Sequence, residues 1–297
     1  MYDLLDKYSY SPDAEDMGRR LDLLAANSAG LVSDTVLKDC FSLMDITSLH
    51  SSDTVESITR LVHKVNSLAR DYPQYPLPAS VCVFPNFAST VAALRESGQL
   101  HVTAVAGCFP DSQSFLEVKV RECELAVENG ADEIDIVLAL NAFLAQDYET
   151  ARREIRQIRS AIDKAAAANA RTVILKVILE TGVLVTPEAI AQASFLAMEE
   201  GADFIKTSTG KVSVNATPMA SYVMCRCIGK FYEKTGRKVG FKAAGGISSA
   251  SDAVSYYAIV ASVLGKEWIN RDLFRFGVSR LANALMSAVE KRTVTVF

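Results

Sequence analysis

A closed α/β barrel of eight strands, with a helical extension at its N-terminal end, is expected from three features of the chain. Short β-like runs alternate with longer amphipathic ones from residue 43 onward, eight such pairs fill the sequence, and no Pro/Gly-rich linker divides it. The length of 297 residues suits one barrel, and 49% hydrophobic with 22% charged residues fits a globular chain with a single large core.

Residues 1–40 form the expected extension, in which an amphipathic stretch at 13–26 predicts helices covering the barrel's N-terminal end; the barrel itself takes 41–297. Strands are expected at MDITSL (43–48), VCVFP (81–85), HVTAVAG (101–107), EIDIVLA (133–139), TVILKVILE (172–180), FIKTST (204–209), VGFKA (239–243) and FRFGV (274–278). Between the fifth and sixth, Thr186 reads as a helix N-cap, Pro187 and Glu188 suit a first turn, and Gly201 ends the apolar run. NGADEIDIV (129–137) and EGADFIKTS (200–208) repeat one order: helix end, Gly-Ala-Asp, strand. Each carries a charge three positions after the Asp, namely Asp135 and Lys206. The repeat is either a reused turn or a functional pairing.

Composition removes several classes of function. A net charge of -4, with 31 Lys and Arg spread along the chain, leaves no footprint for nucleic acid. No run approaches the roughly 18 apolar residues of a membrane span, so no membrane partner is expected. The opening MYDLLDKYSYSPDAED is acidic and reads as neither a secretory signal nor a transit peptide. Cys40, Cys82, Cys108, Cys123, Cys225 and Cys227 are scattered without metal-type spacing, which points to a reducing, cytoplasmic setting. His50, His63 and His101 are equally dispersed, so neither a metal nor another cofactor is expected.

Side chains alternate along a strand, so the apolar set that must meet the helices fixes which residues face the barrel interior. Ile134, Ile136 and Leu138 face outward, which turns Asp135 inward; Ile205 does the same for Lys206, with Phe204 and Ser208 on its side. Val173, Leu175, Val177 and Leu179 leave Lys176 inside, Val239 and Phe241 leave Lys242, and Met44 and Ile46 leave Asp45 with Thr47. Five charges from five strands thus share one interior. Unpaired, each would cost several kcal/mol, so they form a satisfied ion-pair network or an active site at the C-terminal strand ends.

The Gly-Lys pair at 210–211 is no P-loop: position 205 is Ile, and Val212 follows Lys211. A phosphate monoester fits better. AGGIS (244–248) and FGVSR (276–280) follow the seventh and eighth strands, where such barrels bind phosphate, so Gly245, Gly246 and Ser279 are candidates, with Gly210 and Lys211 closing the pocket.

A lysine attacks a carbonyl only as the neutral amine, a minor form at an ordinary pKa of about 10.4. A second cation ~4 Å away at an effective dielectric of ~20 opposes protonation by about 4 kcal/mol, roughly three pH units. Lys206 and Lys242 fit the parts of nucleophile and activator, although periodicity leaves open which is which, and Asp135 can shuttle protons. The set suggests Schiff-base chemistry on a phosphorylated aldehyde or ketone.

FIKTSTGKVSVNATP (204–218) and GFKAAGG (240–246), supported by GADEIDIV (130–137) and LKVILETG (175–182), carry a resemblance. From MDITSLH to RFGVS the chain resembles the deoxyribose-phosphate aldolase family, class I aldolases on a TIM barrel. The resemblance implies reversible cleavage of 2-deoxy-D-ribose 5-phosphate to acetaldehyde and D-glyceraldehyde 3-phosphate, without metal or cofactor. It implies Lys206 as the Schiff-base lysine, Lys242 as the lysine that lowers its pKa, Asp135 as the proton relay, and Lys176 and Asp45 as accessory members. The implied phosphate site is Gly210, Lys211, Gly245, Gly246 and Ser279; the implied partners are a small phosphosugar and a second copy in a homodimer. Departures stand beside it: the chain ends TVTVF where relatives often carry a tyrosine, Cys108 replaces a frequent Asn, and Ser248 replaces a frequent Arg, which implies weaker phosphate binding. Cys82 matches a cysteine linked in some relatives to aldehyde inactivation, or is a small buried residue. Two alternatives accompany this reading: another class I aldolase or transaldolase on a phosphosugar, and a non-catalytic phosphosugar-binding barrel.

Overall fold

Eight parallel strands close on themselves in sequence order in the computed structural model, which describes residues 4–297. They are β1 Met44–Thr47, β2 Ser80–Val83, β3 His101–Val105, β4 Glu133–Val137, β5 Ile174–Ile178, β6 Phe204–Lys206, β7 Gly240–Ala244 and β8 Phe274–Val278. Closure comes from β8 pairing with β1, Met44 opposite Phe276. With helices between the strands, this is the expected TIM barrel.

The alternation that predicted the strands also explains their packing. Ile134, Ile136, Leu175, Val177, Ile205, Val239 and Phe241 are all at most 1% exposed and belong to one core with the surrounding helices. The strands from β1 to β6 are shorter than expected, β5 and β6 most so. Beyond Lys206 the chain leaves the ladder, and the Thr207 hydroxyl donates to the Ala244 carbonyl (3.1 Å).

Both copies of the Gly-Ala-Asp turn do the same mechanical work. Asp132 accepts from the amide of Val102 and Asp203 from that of Leu175, each at 2.9 Å, so each aspartate ties its turn to the preceding strand. The helix Pro187–Glu199 begins as its sequence foretold, with the Thr186 hydroxyl accepting from the Ala189 amide (3.2 Å).

Helices Leu4–Lys7, Ala14–Ser28 and Asp34–Ser42 precede β1; residues 1–3 of the expected extension lie outside the described residues. These helices contact the outer helices Pro187–Glu199, Pro218–Thr235, Ala250–Val263 and Leu281–Glu290. Aromatic anchoring accompanies these contacts: Tyr8 stacks on Phe195 at 4.3 Å between ring centroids. Among the described residues, no helix is long and apolar enough to cross a membrane.

Candidate active site

The strand register sets Asp135 opposite Lys176 and Lys206 opposite Lys242, so charges from neighbouring strands meet at one level of the barrel. Lys206 and Lys242 each donate to Oδ2 of Asp135 at 2.8 Å, and Lys176 donates to Oδ1 at 2.9 Å. Lys242 also pairs with Asp45 at 2.5 Å. Asp45, Asp135, Lys176 and Lys242 are fully buried. The two partners of the internal repeat, Asp135 and Lys206, are therefore in direct contact.

Two further members were not singled out in the sequence. Arg275 on β8 donates to Asp45 at 2.6 Å and to Glu133 at 2.7 Å, and Glu133 contacts Lys176 as well. Glu133 accepts in addition from the Thr103 hydroxyl (2.9 Å) and lies 2.7 Å from Nδ1 of His101. Both residues obey the parity rule, since Glu133 is two positions before Asp135 and Arg275 stands between Phe274 and Phe276. What hid them was context: a charge beside a turn aspartate and one inside an aromatic run look unremarkable.

Three carboxylates (Asp45, Glu133, Asp135) thus face four cations (Lys176, Lys206, Lys242, Arg275). The cluster is neutral when one cation gives up its proton, and the structure distinguishes among them. Burial pushes the Lys206 amine below its ordinary range; Asp135 opposes this and the Lys242 ammonium reinforces it. Burial also disfavours charge on Lys242, but Asp135 and Asp45 outweigh it and hold that ammonium above its ordinary range. Burial pushes the Asp135 carboxyl up, yet Lys176, Lys206 and Lys242 together hold it well below the carboxylate range. Desolvation is accordingly the main cause of the softened Lys206, with the neighbouring lysine second in that sense.

Access separates the lysines as well. A cavity of about 240 Å³ opens above β6, β7 and β8; Lys206 lines it, as do Thr47, His50, Thr209 and Arg280. The Lys206 side chain retains 4% exposure, whereas those of Lys176 and Lys242 have none. Gly210, Lys211, Gly245, Gly246 and Ser279 line the same cavity. Gly245 and Gly246 adopt φ of 82° and 80°, the left-handed region that glycine tolerates without strain.

The loop bearing Gly210 and Lys211 is fixed from below. Glu180, 2% exposed, accepts from the Thr209 hydroxyl at 2.5 Å, and that hydroxyl accepts from the Lys211 amide at 3.0 Å. The Lys211 ammonium donates to the Leu49 carbonyl at 2.6 Å, tying the loop after β6 to the one after β1. Gly182, after β5, lets the loop after β6 approach, since a Cβ there would lie 1.9 Å from the Val214 carbonyl oxygen.

The residues marked as departures are also located. The Cys82 thiol is fully buried and pushed up chiefly by that burial, while the Cys108 amide donates to Glu122 at 2.6 Å. The Ser248 amide donates to Asp252 at 3.3 Å. Residues 294–297 lie along the helix Leu281–Glu290: the amides of Val296 and Phe297 donate to Asn283 at 2.9 and 3.0 Å. Among the described residues, no group of three or more His, Cys, Asp or Glu side chains is arranged to hold a metal ion.

Comparison with known proteins adds family context. A model described as DeoC/LacD family aldolase matches residues 40–284. The deoxyribose-phosphate aldolase of Homo sapiens is 40% identical over 261 residues, 84% of this chain and 78% of that protein. That of Bos taurus is 40% identical over 248 residues, 80% of this chain and 76% of that protein. Among solved structures, the deoxyribose phosphate aldolase from Aeropyrum pernix, described as tetrameric, aligns with a TM-score of 0.67 at 25% identity, covering 93% of this chain and 98% of that one.

Proposed function

The chain belongs to the DeoC/LacD family of aldolases, and we propose that Lys206 forms the Schiff base through which it acts as a deoxyribose-phosphate aldolase. The reaction is the reversible cleavage of 2-deoxy-D-ribose 5-phosphate to acetaldehyde and D-glyceraldehyde 3-phosphate. The observation that carries the assignment is that, of the three buried lysines around Asp135, Lys206 alone reaches the cavity, and its amine is pushed toward neutrality while Lys242 is held charged.

In this reading the neutral Lys206 amine attacks C1 of the open-chain sugar, and the resulting N–H proton passes to Asp135, whose ionised carboxylate is 2.8 Å from Nζ. Return of that proton to the C1 oxygen gives the carbinolamine, and a second proton, drawn from the Lys242 ammonium through Asp135, lets the hydroxyl leave as water and yields the protonated imine. The imine draws electrons from the bond between C2 and C3 as the C3 hydroxyl loses its proton. Two carbons stay on Lys206 as an enamine and three leave as D-glyceraldehyde 3-phosphate. Protonation at C2 and hydrolysis then release acetaldehyde and restore the amine. The positive charge of the imine forms beside Asp135, whose carboxylate offsets it without reorganisation.

Lys176 and Asp45 are accessory members that keep Asp135 and Lys242 ionised, and the phosphate is held by Gly210, Lys211, Gly245, Gly246 and Ser279. Within the same reading residues 1–40 are an extension packed on a catalytic barrel of 41–297, the enzyme works as a homodimer, and it resides in the cytoplasm. All six cysteines are free, which suits a reducing compartment. The test is acetaldehyde release from 2-deoxy-D-ribose 5-phosphate: wild type should release it and Lys206→Arg should not. No release by wild type would sink the proposal.

A further inference from the structure

We propose that Arg280 supplies the second charge, beside Lys211, that holds the substrate's phosphate and so strengthens a preference for phosphorylated over free deoxyribose. The inference rests on the aldolase reading above and adds to it a residue outside the phosphate set already named.

A phosphate monoester carries about -1.5 to -2 at pH 7, and the cavity must offset most of that. The Gly246 amide offers a donor without net charge, and that of Gly245 donates to the Gly277 carbonyl at 3.4 Å. Further along the same turn, the amides of Ser248 and Ser249 donate to Asp252 at 3.3 and 3.0 Å, so this segment contributes an acid and no cation. Lys206 must be neutral to attack and regains charge only as the imine, at the end of the cavity where C1 reacts. The Lys211 ammonium donates to the Leu49 carbonyl at 2.6 Å, a neutral partner that leaves its charge in place, so it offsets about one unit of the phosphate.

Arg280 is the second permanent cation lining the cavity, beside Lys211, and supplies the rest of the charge. It directly follows Ser279 and stands one position before the helix Leu281–Glu290. Among the described residues its guanidinium makes no ion pair or side-chain hydrogen bond, unlike the buried arginine Arg275. A guanidinium presents two parallel N–H groups to a phosphate, which a lysine cannot. The nearby helix N-terminus contributes potential of the same sign. Three carbons separate C1 from C5, which bears the phosphate, so phosphate held between Arg280 and the glycine turn leaves C1 free to reach Lys206.

The test compares wild type, Arg280→Ala and Arg280→Lys on 2-deoxy-D-ribose 5-phosphate and on unphosphorylated 2-deoxy-D-ribose, with calorimetric titration of inorganic phosphate alongside. Loss of a charge-assisted contact should raise KM for the phosphorylated sugar about 10- to 100-fold and weaken inorganic phosphate comparably. On the free sugar, kcat/KM should stay within about twofold, and Arg280→Lys should recover part of the loss. The proposal is overturned if Arg280→Ala keeps KM within about twofold of wild type, or if it impairs both sugars equally, which is the mark of a structural effect. Should wild type cleave neither sugar, the aldolase reading fails on its own. The phosphate titration then decides for Arg280, and equal affinity in wild type and Arg280→Ala overturns it.

Discussion

Replacing Lys242 by Met removes a charge while keeping an unbranched apolar stem in the barrel. Lys206 and Lys242 both lie 2.8 Å from one oxygen of Asp135, so their nitrogens are at most about 5.6 Å apart. At that separation and an effective dielectric of ~20, their repulsion is roughly 3 kcal/mol, equivalent to about two pH units. Burial still depresses Lys206 in the variant, but the cationic contribution is gone and Asp135 pairs with Lys206 more strongly; both changes favour the ammonium. The limb of the kcat/KM profile that reports Lys206 in the free enzyme should therefore move at least about two units toward high pH, with activity near pH 7 falling about 100-fold and recovering as pH rises. Circular dichroism of the variant checks that the barrel is intact. A loss of equal size at every pH, with the limb within about half a unit of wild type, would refute the electrostatic account and leave Lys242 as a proton donor only.

The remaining predictions concern the supports of the site. Glu133→Gln leaves Arg275 and Lys176 with one buried carboxylate fewer; it should cost about 3–5 kcal/mol in denaturant unfolding, and a loss under about 1 kcal/mol would show that the lower half of the cluster is energetically idle. Thr209→Val keeps the volume but breaks the chain from Glu180 to the Lys211 amide, so KM should rise about three- to tenfold with kcat nearly unchanged; an equal fall in kcat would contradict a positioning role. Asp45, Glu133 and Asp135 are all held below their unfolded values, so the stability they contribute is present above about pH 4–5 and lost as pH falls through the folded values. Thermal melts should be insensitive to these groups from about pH 5 to 7 and fall steadily below about pH 4; a decline beginning near pH 6 would point to other groups.

The barrel was legible because its strands carry a two-residue alternation, and the same alternation turned Asp45, Asp135, Lys176, Lys206 and Lys242 toward one another. Parity gives direction without depth. It could not tell that Lys206 touches the cavity while Lys242 lies beneath it, because that depends on how far each strand runs before its loop begins. Glu133 and Arg275 were readable by the same rule, but each lay among residues that explained it locally. Arg280 and the tie from Glu180 to Thr209 were not readable in this way. They depend on loops converging from strands far apart in sequence, and the contacts have no periodicity. The cause assigned to the softened Lys206 also changed: a neighbouring cation was expected to dominate, whereas complete burial of the amine contributes more. Helices before β1 were legible from their apolar stripe.

The central claim is that Lys206 forms a covalent imine, and reductive trapping addresses it most directly. Wild type treated with acetaldehyde and borohydride should gain one reduced two-carbon group, and peptide mass mapping should find it on Lys206; Lys206→Arg should fold normally and gain none. A single adduct on Lys176 or Lys242 instead, or no adduct in wild type, would contradict the account.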